Sequence, residues 1–314
     1  MIEVDGKIPM RWWDNEKNFG DLLGPWLAEK MTGKPVVWAN KDEPHYLTIG
    51  SILSRVSPTS VMWGIGSFGT EGKMRVKGAG TPLAVRGPLT RARFEMFGGK
   101  APRVYGDPAL LVADYYHPTI EKQYELGVVL RWSERKRIEN LKLDGVLVID
   151  LLTDDIEGTI DAFLSCKRIL TTSLHGLIVS DAYGIPNAWL TADTGRGKEH
   201  KFWDYLLSVG KERQPVEFDF GDNDLTVDKL VSVFNFDSRP ISLDLEPLRA
   251  SCPFIASSAV IAKAEANALD QSKQSEILRL ERQKWWKPNN WRYYMGSGSK
   301  SIKSPPNRRS SKSQ

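Results

Sequence analysis

Residues 167–192, KRILTTSLHGLIVSDAYGIPNAWLTA, decide the fold. KRILTTS (167–173) is a short apolar run rich in β-branched residues, and NAWLTA (187–192) is a second run of that kind. Between them LHGLIVSDAYG (174–184) has helical spacing of its apolar residues, and Gly184 and Pro186 close it. Strand, helix and strand joined this tightly make a βαβ unit, whose two strands run parallel.

The same alternation extends in both directions. Upstream, ELGVVLRW (125–132) and DGVLVIDL (144–151) are expected strands, with TIDAFLSC as a helix; downstream a helix is expected near 201–209. In the first half YLTIGSIL (46–53), SVMWGIGS (60–67), PLAVR (82–86) and APRVYGD (101–107) are expected strands, and 20–31 and 88–97 expected helices. Pro88 and Gly98 are the start and stop of the latter. An aperiodic break falls at 112–124. The pattern predicts an α/β protein of two Rossmann-like parallel-sheet domains, 1–117 and 118–255, facing across a cleft at their C-terminal strand ends. Residues 256–314 are expected to form a long exposed helix and then a disordered, basic tail.

Composition excludes several classes. Hydrophobic content of 41% and charged content of 26% fit a soluble globular protein, and no run nears ~20 apolar residues. The N-terminus lacks the apolar core of a signal peptide. From Gln271 to the end there are 11 Lys/Arg against 2 Asp/Glu, so the net +4 belongs to the tail. Cys166 and Cys252 form neither a metal spacing nor a disulfide framework; a bridge between them is open but unneeded, and the cytoplasm is the expected compartment. No pair of histidines at helical spacing suggests a metal, and neither a metal nor a cofactor is expected.

Candidate chemistry gathers at strand ends. His175 lies in the first turn of the helix after Thr172 and Ser173, where the positive helix terminus disfavours imidazolium; a neutral ring can act as general acid/base, or be a buried histidine satisfied by backbone. Arg86 ends a strand before a Gly-Pro helix start and can bind phosphate or carboxylate, or form a salt bridge between layers. Asn18, Gly20 and Asp21 mark another helix start that can meet an anion, or Asp21 caps it. Gly66 and Ser67 lie in a turn that lets backbone approach a ligand, and Asp107 can bind a sugar hydroxyl or stabilise a turn. Ser173 and Leu174 adjoin His175; Lys201 can neutralise phosphate while Trp203 stacks or packs. His45, His117 and His200 are expected at the surface or in loops.

NFGD (18–21), WGIG (63–66), VRGPLT (85–90), GDPALL (106–111) and SLHGLIVSDAYGIP (173–186) resemble, in content and order, the polysaccharide pyruvyl transferase family over about residues 17–210. KFWDY (201–205) resembles a Lys-Trp-x-Asp segment of its exopolysaccharide branch, with Phe202 inserted before the tryptophan. Gly87 stands where many members have Asp, and the tail beyond about 255 has no counterpart. The resemblance implies a fold similar to two-domain (GT-B-type) glycosyltransferases. It also implies phosphoenolpyruvate as donor, a ketal of pyruvate on a polysaccharide or lipid-linked sugar as product, and His175 and Arg86 as the catalytic pair. Two other functions are open: a GT-B-type glycosyltransferase using a sugar nucleotide, and a non-catalytic partner-binding protein on the same fold. WWKPNNWRYYM (285–295) offers peripheral contact with the inner face of a membrane; nucleic acid is not an expected partner.

Overall fold

The computed structural model describes residues 1–285 apart from 73–75, 77, 139–140, 193–198 and 222–223. The chain divides into two compact units, Met1–Ser272 and Lys273–Gln314. The first contains β1 (Ile8–Met10), α1 (Phe19–Thr32), β2 (Val36–Trp38), β3 (His45–Leu47), β4 (Ser60–Ile65), β5 (Ala84–Val85) and α2 (Pro88–Met96). It continues with β6 (Leu126–Leu130), β7 (Val146–Asp150), α3 (Ile156–Leu164), β8 (Ile169–Thr171), α4 (Leu174–Ala182), β9 (Asn187–Trp189), α5 (His200–Val209), α6 (Val227–Val233) and α7 (Glu246–Ala250). α8 (Ala259–Trp285) follows.

The two expected parallel sheets are present. One has the order β2-β1-β3-β4-β5, the other β7-β6-β8-β9, and every pairing is parallel. Strand order therefore reverses between β1 and β3 in one sheet and between β6 and β8 in the other. Such reversal points, beyond the carboxyl ends of the strands, are where parallel sheets commonly bind ligands. The βαβ unit of the opening stretch is β8-α4-β9, with Thr171 opposite Trp189.

The sequence pattern misses the strand at the first reversal. β1 lies inside its sheet although its middle residue is Pro9, which cannot donate a ladder hydrogen bond; Ile8 N–H bonds Pro35 O and Arg11 N–H bonds Tyr46 O on either side of it. The strand expected at 101–107 is reduced to a bridge between Val85 and Tyr105. Pro102 and the Gly106–Asp107–Pro108 turn leave too little regular backbone there.

One face of the second sheet, through Val129, Ile149, Ile169 and Trp189, shares a core with Phe163 of α3, Leu177 of α4 and Phe202 of α5. That core also takes Phe19, Leu23 and Leu27 of α1 and Ala109, Leu110 and Val112. Each such side chain contributes on the order of 1.5–3 kcal/mol on burial, so apolar packing joins the two halves beneath the strand ends. The opposite face packs Val128, Leu130 and Leu190 against Leu230 and Phe234. Cys166 and Cys252 are free, buried and in different cores.

The long helix departs from full exposure. Ile261 and Ala268 of α8 are buried, and Glu265 accepts a hydrogen bond from the Tyr46 hydroxyl and an ion pair from the N-terminal amine. The expectations for the basic, aromatic tail fall on 286–314, outside the described residues. No helix among the described residues is long and apolar enough to cross a membrane.

Candidate functional site

The two reversal points face one another through Gly20 and His175. Asn18 caps α1 by accepting from Gly20 N–H at 2.9 Å, and Phe19 N–H reaches across to Leu151 O, just beyond β7, at 2.9 Å. The start of α1 is thus tied to the second sheet. A Cβ added to Gly20 would lie 1.9 Å from His175 Nδ1, so only glycine admits the imidazole at this contact. On the other side Thr171 Oγ1 donates to Val129 O and accepts from Ser173 N–H at 2.9 Å, setting the turn from β8 into α4. Ser173 precedes α4 without a side-chain cap, leaving the first-turn amides beside His175 open.

His175 Nε2 is buried without a hydrogen-bond partner, so satisfaction by backbone does not hold at that atom. Burial first, then the charges of Lys201 and Arg86, pull its pKa down to about 3. The ring is neutral at pH 7. Asp21 is not the cap; Asn18 is. Burial pushes the Asp21 carboxyl up to about 7, against the pull of Lys201 and Arg55. Lys201, near the start of α5, stands over Phe202 at 5.2 Å and Phe68 at 5.7 Å from the ring centroids. His175, Asp21 and Lys201 therefore share one electrostatic environment built from both halves.

Arg86 occupies a different setting. Its side chain is 0% exposed. Nε donates to Asp204 Oδ2 at 2.9 Å, Nη1 to Ser51 Oγ at 2.7 Å and Nη2 to Ser67 O at 2.8 Å. Asp204 also accepts from Thr90 N–H at 2.8 Å and Thr90 Oγ1 at 2.6 Å. The expected donor-facing arginine is instead an interlayer ion pair, the alternative open in the sequence: it fastens β5 and α2 to α5. Gly87 makes room for this pair, because a Cβ there would meet Asp204 O at 2.1 Å and Oδ1 at 2.6 Å. The carboxylate of this pair thus comes from α5 in the other half.

Gly66 and Ser67 depart from their expected ligand-facing place as well. Gly66 lies buried against the Arg86 guanidinium; Ser67, 0% exposed, donates to Glu71 Oε2 at 2.6 Å and accepts from Gly69 N–H. Asp107 is fully buried and caps the turn Pro108–Asp114 through Ala109 N–H at 3.1 Å, so it meets no sugar at the surface. Its Oδ2 has no partner, and burial raises its pKa to about 6 against the attraction of Arg86. The Leu174 side chain belongs to the core, which leaves only its backbone for a ligand. Trp203 packs edge-on against Trp189 at 5.1 Å.

The other histidines are less exposed than expected, His117 excepted. His45 is 0% exposed in β3, with Nε2 2.8 Å from Ser60 Oγ, and burial lowers its pKa to about 4. His200 opens α5, packed on Gly69 with Nε2 buried and unpartnered. Arg131 escaped the sequence reading; the signal was an arginine directly after ELGVVL, at the end of the reversal strand. Its backbone N–H donates to Thr172 Oγ1 at 3.0 Å, beside the start of α4.

Comparison with known proteins agrees with the motifs. Residues 77–194 match the model of the polysaccharide pyruvyl transferase family, a stretch holding Arg86, Asp107, Arg131 and His175 but neither Asp21 nor Lys201. The chain is similar to the uncharacterized protein L143 of Acanthamoeba polyphaga mimivirus, at 29% identity over 220 residues, covering 66% of this chain and 76% of that protein. It is also similar to the succinoglycan biosynthesis protein ExoV of Rhizobium meliloti (strain 1021), at 27% identity over 220 residues, covering 66% of each. The match over 77–194 bears out the family resemblance carried by VRGPLT, GDPALL and SLHGLIVSDAYGIP.

Proposed function

We propose that the chain transfers pyruvate from phosphoenolpyruvate to two hydroxyls of a saccharide, forming a cyclic ketal, in a crevice between the two sheets. One observation carries this: a neutral histidine with an unpartnered Nε2, an acid raised to about 7 and a lysine share the meeting point of two strand-order reversals. The family match and the similarity to a polysaccharide biosynthesis protein support the same chemistry.

The donor carries a phosphate and a carboxylate, which Lys201 and the open amides at the start of α4 attract. Asp21 in its acid form gives a proton to the methylene carbon, making C2 electrophilic. The first sugar hydroxyl adds there and His175 takes its proton. The phosphate leaves by cleavage of its bond to C2 and receives that proton from His175. The second hydroxyl then closes the ring and returns a proton to Asp21. A positioned acid or base of this kind contributes typically ~10²–10⁴ in rate.

Incubation of the full chain with phosphoenolpyruvate and a panel of simple glycosides, scored by mass, tests this. Ketal addition with phosphate release is expected. Absence of any adduct, with thermal stabilisation by a sugar nucleotide and none by phosphoenolpyruvate, would replace it by glycosyl transfer.

A further inference from the structure

Arg131 directly follows β6, the strand where the order of the second sheet reverses. Among the described residues its half-buried side chain has one hydrogen-bond partner, Ser133 Oγ at 3.4 Å, the far limit of such a bond. The one carboxylate acting on it among the described residues is that of Glu134, which itself pairs with Arg137 at 3.3 Å. Arg86, Arg213 and Arg249 contrast with it: each makes a carboxylate contact of 2.9 Å or less. A guanidinium carries five donors and stays charged. Removing it from water without an anion is unfavourable, so its surroundings fit a ligand that brings one.

Val129, two residues earlier, shares a core with Leu174 and Leu177 of α4. The bond from the Arg131 N–H to Thr172 Oγ1 fixes it beside Ser173 and the turn carrying His175.

We infer that Arg131, rather than Arg86, is the arginine that grips the anionic donor, binding the phosphate or carboxylate of phosphoenolpyruvate through paired N–H groups. The inference rests on the pyruvyl-transfer reading. The two oxygens of either group match the guanidinium fork, and the lysine ammonium supplies a second point charge.

The test compares the full-length chain with Arg131→Gln and Arg131→Lys, titrating phosphoenolpyruvate, inorganic phosphate and pyruvate and measuring steady-state rates. Arg131→Gln is expected to raise Kd and KM for phosphoenolpyruvate roughly 10- to 100-fold, with kcat changed less and the unliganded Tm unmoved. Arg131→Lys restores part of the affinity. Weakened phosphate binding places the phosphate on Arg131, and weakened pyruvate binding places the carboxylate there. Should the glutamine variant not fold, Arg131→Met keeps the aliphatic stem and carries the same expectation. Wild-type affinity for phosphoenolpyruvate in an Arg131→Gln chain that still transfers pyruvate would overturn Arg131 alone. A wild-type chain that neither binds phosphoenolpyruvate nor transfers pyruvate overturns the underlying reading and this assignment together.

Discussion

Two arginines stand at carboxyl ends of strands, Arg86 after β5 and Arg131 after β6, and their surroundings are opposite. Arg86 is sealed, with Asp204, Ser51 and the Ser67 carbonyl around its guanidinium. Arg131 is half-buried, with a single long bond, to Ser133, among the described residues. In the first region all three nitrogens of the guanidinium are matched, and the ion pair acts as a clamp between layers. The second, with the unpartnered His175 Nε2 and the raised Asp21, leaves polar capacity unused. Unmatched polarity where strand order reverses, not the mere presence of a cation, marks where a ligand belongs.

The sharpest way to break this contrast is to remove the clamp. Arg86→Ala strands the buried Asp204 carboxylate and should cost roughly 3–5 kcal/mol of stability by chemical denaturation. Little change would mean that Arg86 is free for donor binding after all. On the other side His175→Ala should lower pyruvyl transfer by about 10²–10⁴ with Tm near that of the wild type. A large fall in Tm with transfer retained would make His175 a core residue. Gly20→Ala would push a methyl into the imidazole, 1.9 Å from Nδ1 at ideal geometry. Displacing that ring should reduce the rate about 10²-fold, read as kcat at saturating donor.

Asp21 sharpens the comparison through pH. Its folded pKa is raised from 3.8 to about 7, so the fold favours the protonated acid. Its contribution to stability is fully present below the unfolded value and is lost as pH rises through about 7. The Tm advantage of Asp21→Asn over wild type should therefore grow between pH 4 and pH 8; an advantage independent of pH would contradict the raised acid. The smallest effect belongs to Ser51→Ala, which removes one bond to Arg86 and should cost about 1 kcal/mol in the same denaturation assay.

Much of the fold is written locally. The β8-α4-β9 unit shows in its hydrophobic period and in Gly184 and Pro186, because period and turn chemistry belong to neighbouring residues. β1 escapes because a central strand containing Pro9 contradicts local propensity, and partners on both sides override it. Likewise the motif positions of His175, Gly20 and Asp21 are legible, while the unmatched state of Arg131 is not. Whether a charge has partners depends on side chains distant in sequence.

By itself the amino-acid order settled parallel α/β architecture and the placement of its chemistry at strand ends, since periodicity and helix punctuation act over a few residues. Only the tertiary structure decided that Asp204, 118 residues away, fills the guanidinium of Arg86. It alone brought Gly20 against His175 and left Arg131 with no carboxylate hydrogen bond among the described residues. The physical reason is that burial and pairing, which fix whether a polar group holds the fold or awaits a ligand, arise only when distant segments meet.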